Sequence, residues 1–219
     1  MECRPLAQCR LYGILDLGYL AADAMPGMAA RLIEGGVDIL QIRAKGASED
    51  AIEAMAGPVQ ALCEEAGIPL ILNDFPQLVP SVGARGAHVG QEDYEVSDAR
   101  WRAGRSLAGE VEAPWIGKST HSLDQAWAAE AAGADYIGFG PLFPTPTKAG
   151  RPAIGLEDVA AVQSAVSIPV FCIGGIRLEN LERVVAAGAR RVVIVSALLQ
   201  AADPAGYCRQ VRRILEPGY

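Results

Sequence analysis

One unit recurs along the whole chain: a helical stretch, then a glycine, then a short apolar run. It is clearest in EGGVDILQIR (34–43), EAGIPLILND (65–74), AAGADYIGFG (131–140) and AAGARRVVIVS (186–196). In each segment the glycine stands where the end of a helix needs a residue in the left-handed conformation. Strands that are apolar nearly throughout are typical of parallel strands covered on both faces. The pattern therefore predicts repeated strand–helix units around a parallel sheet.

The number of units selects the fold. Further apolar runs occupy residues 11–16, 87–90, 114–119 and 168–175. Eight strands, each followed by a helix, predict an α/β protein with the (β/α)8 TIM-barrel fold. A doubly wound open sheet uses the same units, but the GxGxxG fingerprint of a Rossmann domain does not follow the first strand. We predict one barrel domain over residues 1–219, with residues 1–10 as a short N-terminal extension.

Composition and charge exclude several classes of protein. The 219 residues are 51% hydrophobic and carry a net charge of −7 without a basic run, so we expect no nucleic-acid partner. No apolar run is long enough for a transmembrane helix or a secretory signal, so we expect no membrane partner and a cytoplasmic location. The five cysteines form no CxxC motif, which argues against a zinc site and a disulfide framework. A homo-oligomer is left open.

Polar side chains gather where the predicted strands end. They occur within residues 41–45, 73–74, 90–93, 118–121, 145–148 and 195–196, and a pair of glycines lies at the corresponding place in residues 173–176. In TIM barrels the carboxyl ends of the strands carry the active site. The sequence therefore predicts one functional face.

The second strand places two cations at this face. Gln41, Arg43 and Lys45 alternate, so they share one side of the strand, whereas Ile42 and Ala44 should pack against the helices. Two cations at a barrel mouth need a multiply charged anion or nearby carboxylates. The alternative is that Arg43 and Lys45 pair with structural carboxylates.

Two aspartates follow neighbouring strands. Asp74 and Asp93 each follow a strand by only a few residues, so we expect them at the same rim as the predicted cations, and carboxylates there suggest Mg²⁺ shared with phosphate oxygens of a substrate. Asn73 offers an amide that can bind the edge of a heterocycle. The alternative is that Asp74 is the N-cap of the next helix and Asp93 lies in a turn.

The loop after the sixth strand reads FGPLFPTPTKAG. Pro144 and Pro146 restrict its backbone, while Thr145, Thr147 and Lys148 offer two hydroxyls and one ammonium. A stiff loop rich in donors suits an anion, although a tight turn with a solvated lysine is the simpler interpretation.

A second anion site is predicted after strands 7 and 8. Gly174 and Gly175 permit close approach of the backbone to a ligand, and Ser196 can cap a helix. Phosphate commonly binds between these two loops of a TIM barrel. A plain turn followed by an N-cap would use the same residues. Two anion sites and a metal site imply two phosphorylated ligands.

These motifs together resemble those of the thiamine-phosphate synthase family. The resemblance covers essentially the whole chain and is carried, in order, by QIRAK (41–45), ND (73–74), HVGQED (88–93), STH (119–121), TPTK (145–148), IGGI (173–176) and VSA (195–197). It implies a Mg²⁺-dependent transferase that joins a hydroxymethylpyrimidine diphosphate to a thiazole phosphate and releases pyrophosphate. Such a reaction needs no covalent nucleophile, so Cys172, His88 and His121 need only core or capping roles.

The resemblance also implies a role for each site residue. Mg²⁺ would be bound by Asp74 and Asp93. The pyrimidine diphosphate would be held by Gln41, Ile42, Arg43, Ala44, Lys45, Asn73, Ser119 and Lys148. The thiazole phosphate would be held by Thr145, Pro146, Thr147, Gly174, Gly175, Val195 and Ser196. The implied catalytic residues are Arg43, Ser119 and Lys148.

Some positions depart from the family pattern. Phe75 stands where an arginine often follows ND, and Lys118 occupies an apolar position, where it is a candidate for an added cation near the pyrophosphate. The segment between Asp93 and Ser119 is longer than usual. The alternatives are a thiazole tautomerase of the same superfamily, another phosphate-binding barrel isomerase and a non-catalytic binding protein.

Overall fold

Each strand pairs in parallel with its neighbours in the sequence, and the last strand pairs with the first, which closes a barrel. The computed structural model describes residues 3–104, 113–145 and 152–216. The predicted TIM barrel is confirmed. Its strands are β1 (Leu11–Asp16), β2 (Ile39–Arg43), β3 (Leu70–Asn73), β4 (Gly86–Val89), β5 (Trp115–Thr120), β6 (Tyr136–Phe139), β7 (Val170–Cys172) and β8 (Val192–Ile194).

Helices alternate with the strands and form the outer layer. In the described part of the chain they are α1 (Met25–Glu34), α2 (Glu49–Ala66), α3 (Val79–Val82), α4 (Val96–Arg102), α5 (Leu123–Ala131), α6 (Val159–Ala165), α7 (Leu178–Ala186), α8 (Ser196–Leu199) and α9 (Pro204–Leu215). The glycines after α2 and α5, Gly67 and Gly133, have φ angles of 66° and 84°, as predicted for helix ends. No helix among these is long and apolar enough to cross a membrane.

The apolar side chains form two cores, one on each side of the sheet. The larger lies between the strands and the helices, and the smaller fills the barrel interior. Inside the barrel the ring of Tyr12 meets that of Phe171 edge-on, with centroids 5.5 Å apart, and Tyr136 packs against both. Cys9 is fully buried in this inner core. The interior is therefore packed with side chains at the level of these rings.

The segment before β1 is fastened to the amino-terminal end of the barrel. Asp38 is 1% exposed and accepts hydrogen bonds from the backbone amides of Arg10 and Leu11, at 2.8 and 2.9 Å. The guanidinium of Arg4 also pairs with Asp38, and Arg191 Nε donates to Cys9 O at 3.2 Å. Buried charge is thereby satisfied at the end of the barrel opposite the cavity described below.

Candidate active site

A cavity of about 560 Å³ opens at the carboxyl ends of the strands. Its size suits a small organic ligand. The aromatic rings of Tyr12, Tyr136 and Phe171 contribute to its lining. The structure brings the following predicted residues together in the wall: Gln41, Arg43, Asn73, Ser119, Thr145, Gly174, Gly175, Val195 and Ser196.

Arg43 is held by an aspartate that the sequence analysis missed. Parallel pairing of β1 with β2 aligns Asp16 with Arg43, and Arg43 Nη1 lies 2.7 Å from Asp16 Oδ2. Asp16 is 2% exposed, and its other oxygen accepts a hydrogen bond from the amide of Gly18 at 2.8 Å. The alternative interpretation, in which Arg43 pairs with a structural carboxylate, is therefore correct for the Nη1 atom of Arg43. An arginine has five N–H donors, so this contact leaves others for an anion.

Asp74 has an uncommon backbone conformation. Among the described residues other than glycine, it is the one with a positive φ, at 65°. It is not the N-cap of the following 3-10 helix, because Phe75 occupies that position. The interpretation of Asp74 as an N-cap is thus wrong. A residue held in this sparsely populated region is often part of a functional site.

The carboxyl groups of Asp74 and Asp93 lie together. The pKa of Asp74 is raised to about 6, first by burial and then by a hydrogen bond with Asp93 and its charge, while Lys45 and Asn73 oppose the shift. Lys45 Nζ lies 3.9 Å from Asp74 Oδ2. Asp74 is partly buried, whereas Asp93 is exposed. Two carboxylates this close repel each other when ionised, and a divalent cation would relieve that repulsion.

This pair fits Mg²⁺ better than a metal that needs a closed protein cage. The described residues contain no group of three or more His, Cys, Asp or Glu side chains that could hold a metal ion. Mg²⁺ usually takes one or two carboxylates and completes its shell with water and phosphate oxygens. Asp93 lies in a turn, as its alternative interpretation proposed, since its Oδ2 accepts from the amide of Gly90 at 2.7 Å.

Hydrogen bonds fix the polar groups of the inner wall. Gln41 Nε2 donates to the hydroxyl of Tyr12 at 2.6 Å, which leaves the amide oxygen of Gln41 for a ligand. His88 Nε2 lies 3.0 Å from Ser119 Oγ, and both side chains line the cavity. The sequence analysis gave His88 only a core or capping role. Its alternation with Val89 on β4 was the signal that it points into the barrel.

The loops after β7 and β8 form the other side of the cavity. Gly174 and Gly175 have φ angles of 98° and 65°, and a Cβ atom on Gly174 would lie 2.4 Å from Pro141 Cα. Only glycine fits this backbone. The prediction that Ser196 caps a helix is wrong, because Ser196 is the first residue of α8 and the capping position belongs to Val195.

Several predicted residues lie elsewhere. Ile42 and Ala44 pack in the core between sheet and helices, as the alternation predicted, so their side chains face away from the cavity. Phe75 packs against the same core. The prediction of Lys118 as an added cation is wrong, because its ammonium binds the carbonyls of Gly90 and Tyr94. Three residues assigned to the site lie outside the described residues: Pro146, Thr147 and Lys148.

The chain is similar to known proteins over most of its length. The profile of the family described as thiamine monophosphate synthase matches residues 11–198. The thiamine-phosphate synthase of Thermus thermophilus is 40% identical over 206 residues, which cover 90% of this chain and 96% of that protein. The thiamine-phosphate synthase of Halalkalibacterium halodurans is 38% identical over 210 residues, with coverage of 94% and 95%.

Solved structures give the same result. Thiamine phosphate pyrophosphorylase from Pyrococcus furiosus superposes with a TM-score of 0.82 at 29% identity and covers 94% of this chain and 95% of that one. Tryptophan synthase from Mycobacterium tuberculosis superposes with a TM-score of 0.69 at 16% identity and covers 96% of this chain and 93% of that one. At that identity the likeness shows the barrel fold alone.

Proposed function

We propose that this chain, which belongs to the thiamine monophosphate synthase family, joins an aminopyrimidine diphosphate to a thiazole phosphate in a Mg²⁺-dependent reaction that releases pyrophosphate. Its activity is that of a thiamine-phosphate synthase, a transferase. The thiazole tautomerase alternative is not favoured by these relatives. One observation supports the finer proposal: Arg43 and Asn73 line the cavity together with the glycines of the loop after β7. Asp74, which directly follows Asn73, lies beside Lys45 and Asp93.

The diphosphate end of the pyrimidine substrate is assigned to the rim of β2. Arg43 donates to phosphate oxygens from a position that Asp16 fixes, and Lys45 adds a second positive charge. Positive charge placed in advance where negative charge develops lowers the barrier to departure of the leaving group. Asp74 and Asp93 would bind Mg²⁺, which, when bound, neutralises charge on the departing pyrophosphate.

The pyrimidine ring is assigned to the inner wall. The amide groups of Gln41 and Asn73 can bind the polar edge of the heterocycle, and Ser119, held by His88, adds a hydroxyl. Tyr136 offers an aromatic face in the same wall. An electron-rich aminopyrimidine can stabilise a positive methylene carbon after pyrophosphate leaves, so the protein needs no covalent nucleophile. Its task is to orient the ring and keep water from that carbon.

The thiazole phosphate is assigned to the opposite side of the cavity. Gly174, Gly175 and Ser196 bring main chain to the cavity surface, and Thr145 adds a hydroxyl. Backbone N–H groups bind phosphate well where no side chain intervenes. This placement directs the thiazole nitrogen toward the methylene carbon across the cavity. The contribution of Lys148 stays a prediction.

A product assay tests the proposal. The protein is incubated with both substrates and Mg²⁺, and thiamine phosphate and pyrophosphate are measured in the same sample. We expect equal amounts of the two products and loss of both when EDTA removes the metal. Formation of thiamine phosphate at an unchanged rate in EDTA would refute the metal assignment, and a tautomerised thiazole without pyrophosphate would refute the reaction.

A further inference from the structure

A buried lysine on β5 supports the loop that carries Asp93. Lys118 is 6% exposed and neighbours Ser119, whose side chain lines the cavity. Because neighbouring side chains of a strand point to opposite faces, the Lys118 side chain lies on the helix side of the barrel. Its Nζ donates to Gly90 O at 2.9 Å and to Tyr94 O at 2.7 Å. One ammonium therefore joins both ends of a single turn.

Asp93 lies inside this turn. Its Oδ2 accepts a hydrogen bond from Gly90 N at 2.7 Å, and its own amide donates to Gly90 O at 3.5 Å. The carbonyls that Lys118 binds belong to the residue that anchors the Asp93 carboxylate and to the residue directly after Asp93. The position of the carboxylate is thus set by the peptide units that the ammonium holds.

Two further contacts fasten the same turn. Gln91 Nε2 donates to Ser119 O at 2.5 Å, so β5 holds the turn from its main chain as well. The guanidinium of Arg102 lies 4.9 Å from the centre of the Tyr94 ring. A buried ammonium is costly unless its hydrogen bonds are made, so this site keeps its geometry once formed.

We propose that Lys118 is a positioning residue for the metal centre: by binding both ends of the 90–94 turn, it holds the carboxylate of Asp93 beside that of Asp74. The inference rests on the proposed function, since it takes Asp93 as a metal ligand. It assigns Lys118 no contact with substrate. The contacts of residues around a metal ligand typically change metal affinity by about 10- to 100-fold when removed.

The test compares Lys118→Met with a matched control on the same strand and face. Methionine keeps an unbranched chain about as long as the lysine stem and removes the ammonium. In Thr120→Val the control also loses one buried hydrogen bond, from Oγ1 to Gly138 O at 3.0 Å, but that bond does not involve the turn. Lys118→Gln, which keeps a shorter and neutral donor group, replaces the methionine variant if that variant does not fold.

The first readout is binding of Mn²⁺, as a substitute for Mg²⁺, to the metal-free full-length protein, followed by the electron paramagnetic resonance signal of free Mn²⁺. We expect Lys118→Met to bind Mn²⁺ about tenfold or more weakly than the parent protein. The second readout is hydrogen exchange of the backbone amides of residues 90–94, which we expect to be about tenfold or more faster in this variant. Thr120→Val should match the parent protein in both.

The outcomes separate the two proposals. If the parent protein binds Mn²⁺ and Lys118→Met binds it equally, with unchanged exchange of the turn, the role of Lys118 is refuted while the metal site stands. If the parent protein does not bind Mn²⁺ even with pyrophosphate present, the metal assignment of Asp74 and Asp93 is refuted, and the role of Lys118 with it. Equal weakening in Lys118→Met and Thr120→Val would show only a general loss of structure and would also refute the role.

Discussion

The charged side chains of this site contact one another in pairs, and each partner changes the mobility or the ionisation of the other group. Asp16 turns Arg43 from a flexible cation into a fixed donor, because the contact is 2.7 Å long and the aspartate is nearly inaccessible to water. Asp74 and Asp93 have the opposite relation, since the charge of Asp93 raises the cost of ionising Asp74. A fixed cation and a strained carboxylate pair together suit an anionic ligand that arrives with a divalent metal.

The first prediction concerns Asp16→Asn. This change removes the carboxylate that orients Arg43, so we expect kcat/KM for the pyrimidine substrate to fall about 10²-fold and KM for the thiazole phosphate to stay near its parent value. Breaking a buried ion pair should also cost about 3 kcal/mol of unfolding free energy. Steady-state kinetics and urea unfolding measure the two effects.

A control for this prediction is Asp135→Asn. Asp135 pairs with Arg100 at 2.8 Å at a place that is not part of the cavity lining. It should lose stability without loss of kcat/KM. If Asp16→Asn leaves the pyrimidine kinetics unchanged, Arg43 does not depend on Asp16.

At the scale of an element, each strand presents one face to the cavity and the other to the helices. On β2 this separates Gln41 and Arg43 from Ile42, and on β5 it separates Ser119 from Lys118. The loop after β7 presents main-chain atoms to the cavity, whereas the strands present side chains. This loop needs glycine at position 174, because the φ angle there is positive.

The second prediction concerns this glycine. In Gly174→Ala the added Cβ would lie 2.4 Å from Pro141 Cα at a φ of 98°. We expect a loss of about 2–3 kcal/mol and a rise in KM for the thiazole phosphate of about tenfold or more, because the backbone at the cavity surface must shift. Gly133→Ala is the control, since Gly133 has a φ of 84° but a Cβ added there would meet no atom within 4 Å. It should lose stability without a change in KM.

At the scale of the whole molecule, the sequence predicted the barrel and the ends of its strands closely. The apolar runs and the glycines after the helices are local signals, and a barrel of parallel strands follows from their number. Contacts between strands were harder. Asp16 was missed because its contact with Arg43 depends on the register of β1 and β2, which no single segment encodes.

The errors within elements have equally physical causes. Lys118 was a candidate for an added cation near the pyrophosphate, although the alternation of β5 places it opposite Ser119. Ser196 was predicted to cap a helix, and an N-cap was the alternative interpretation of Asp74, but the capping positions belong to their neighbours Val195 and Phe75. Short polar residues near a helix start do not by themselves reveal which residue precedes the first turn.

The third prediction concerns four buried thiols. Burial raises the pKa of Cys9, Cys63, Cys172 and Cys208 to about 12 from an ordinary value of 9.0. The folded state therefore favours the protonated thiols, and this contribution to stability is full below about pH 9 and is lost as the pH rises toward 12. At pH 8 these four should react with a disulfide reagent only after unfolding in guanidinium. Rapid reaction of more than one thiol in the native protein would contradict the packing.

The central claim is that Asp74 and Asp93 bind the Mg²⁺ that accompanies the diphosphate. The variant Asp74→Asn tests this claim, because we expect the variant to keep the fold of the parent protein. Asparagine tolerates a positive φ and removes the repulsion between the two carboxylates, so the variant should be at least as stable as the parent protein in EDTA. The measurement is the rate of pyrophosphate release as a function of Mg²⁺ concentration. We predict that half-saturation by Mg²⁺ moves upward by about tenfold or more, with a lower maximal rate. A Mg²⁺ titration of Asp74→Asn that coincides with that of the parent protein would contradict the claim.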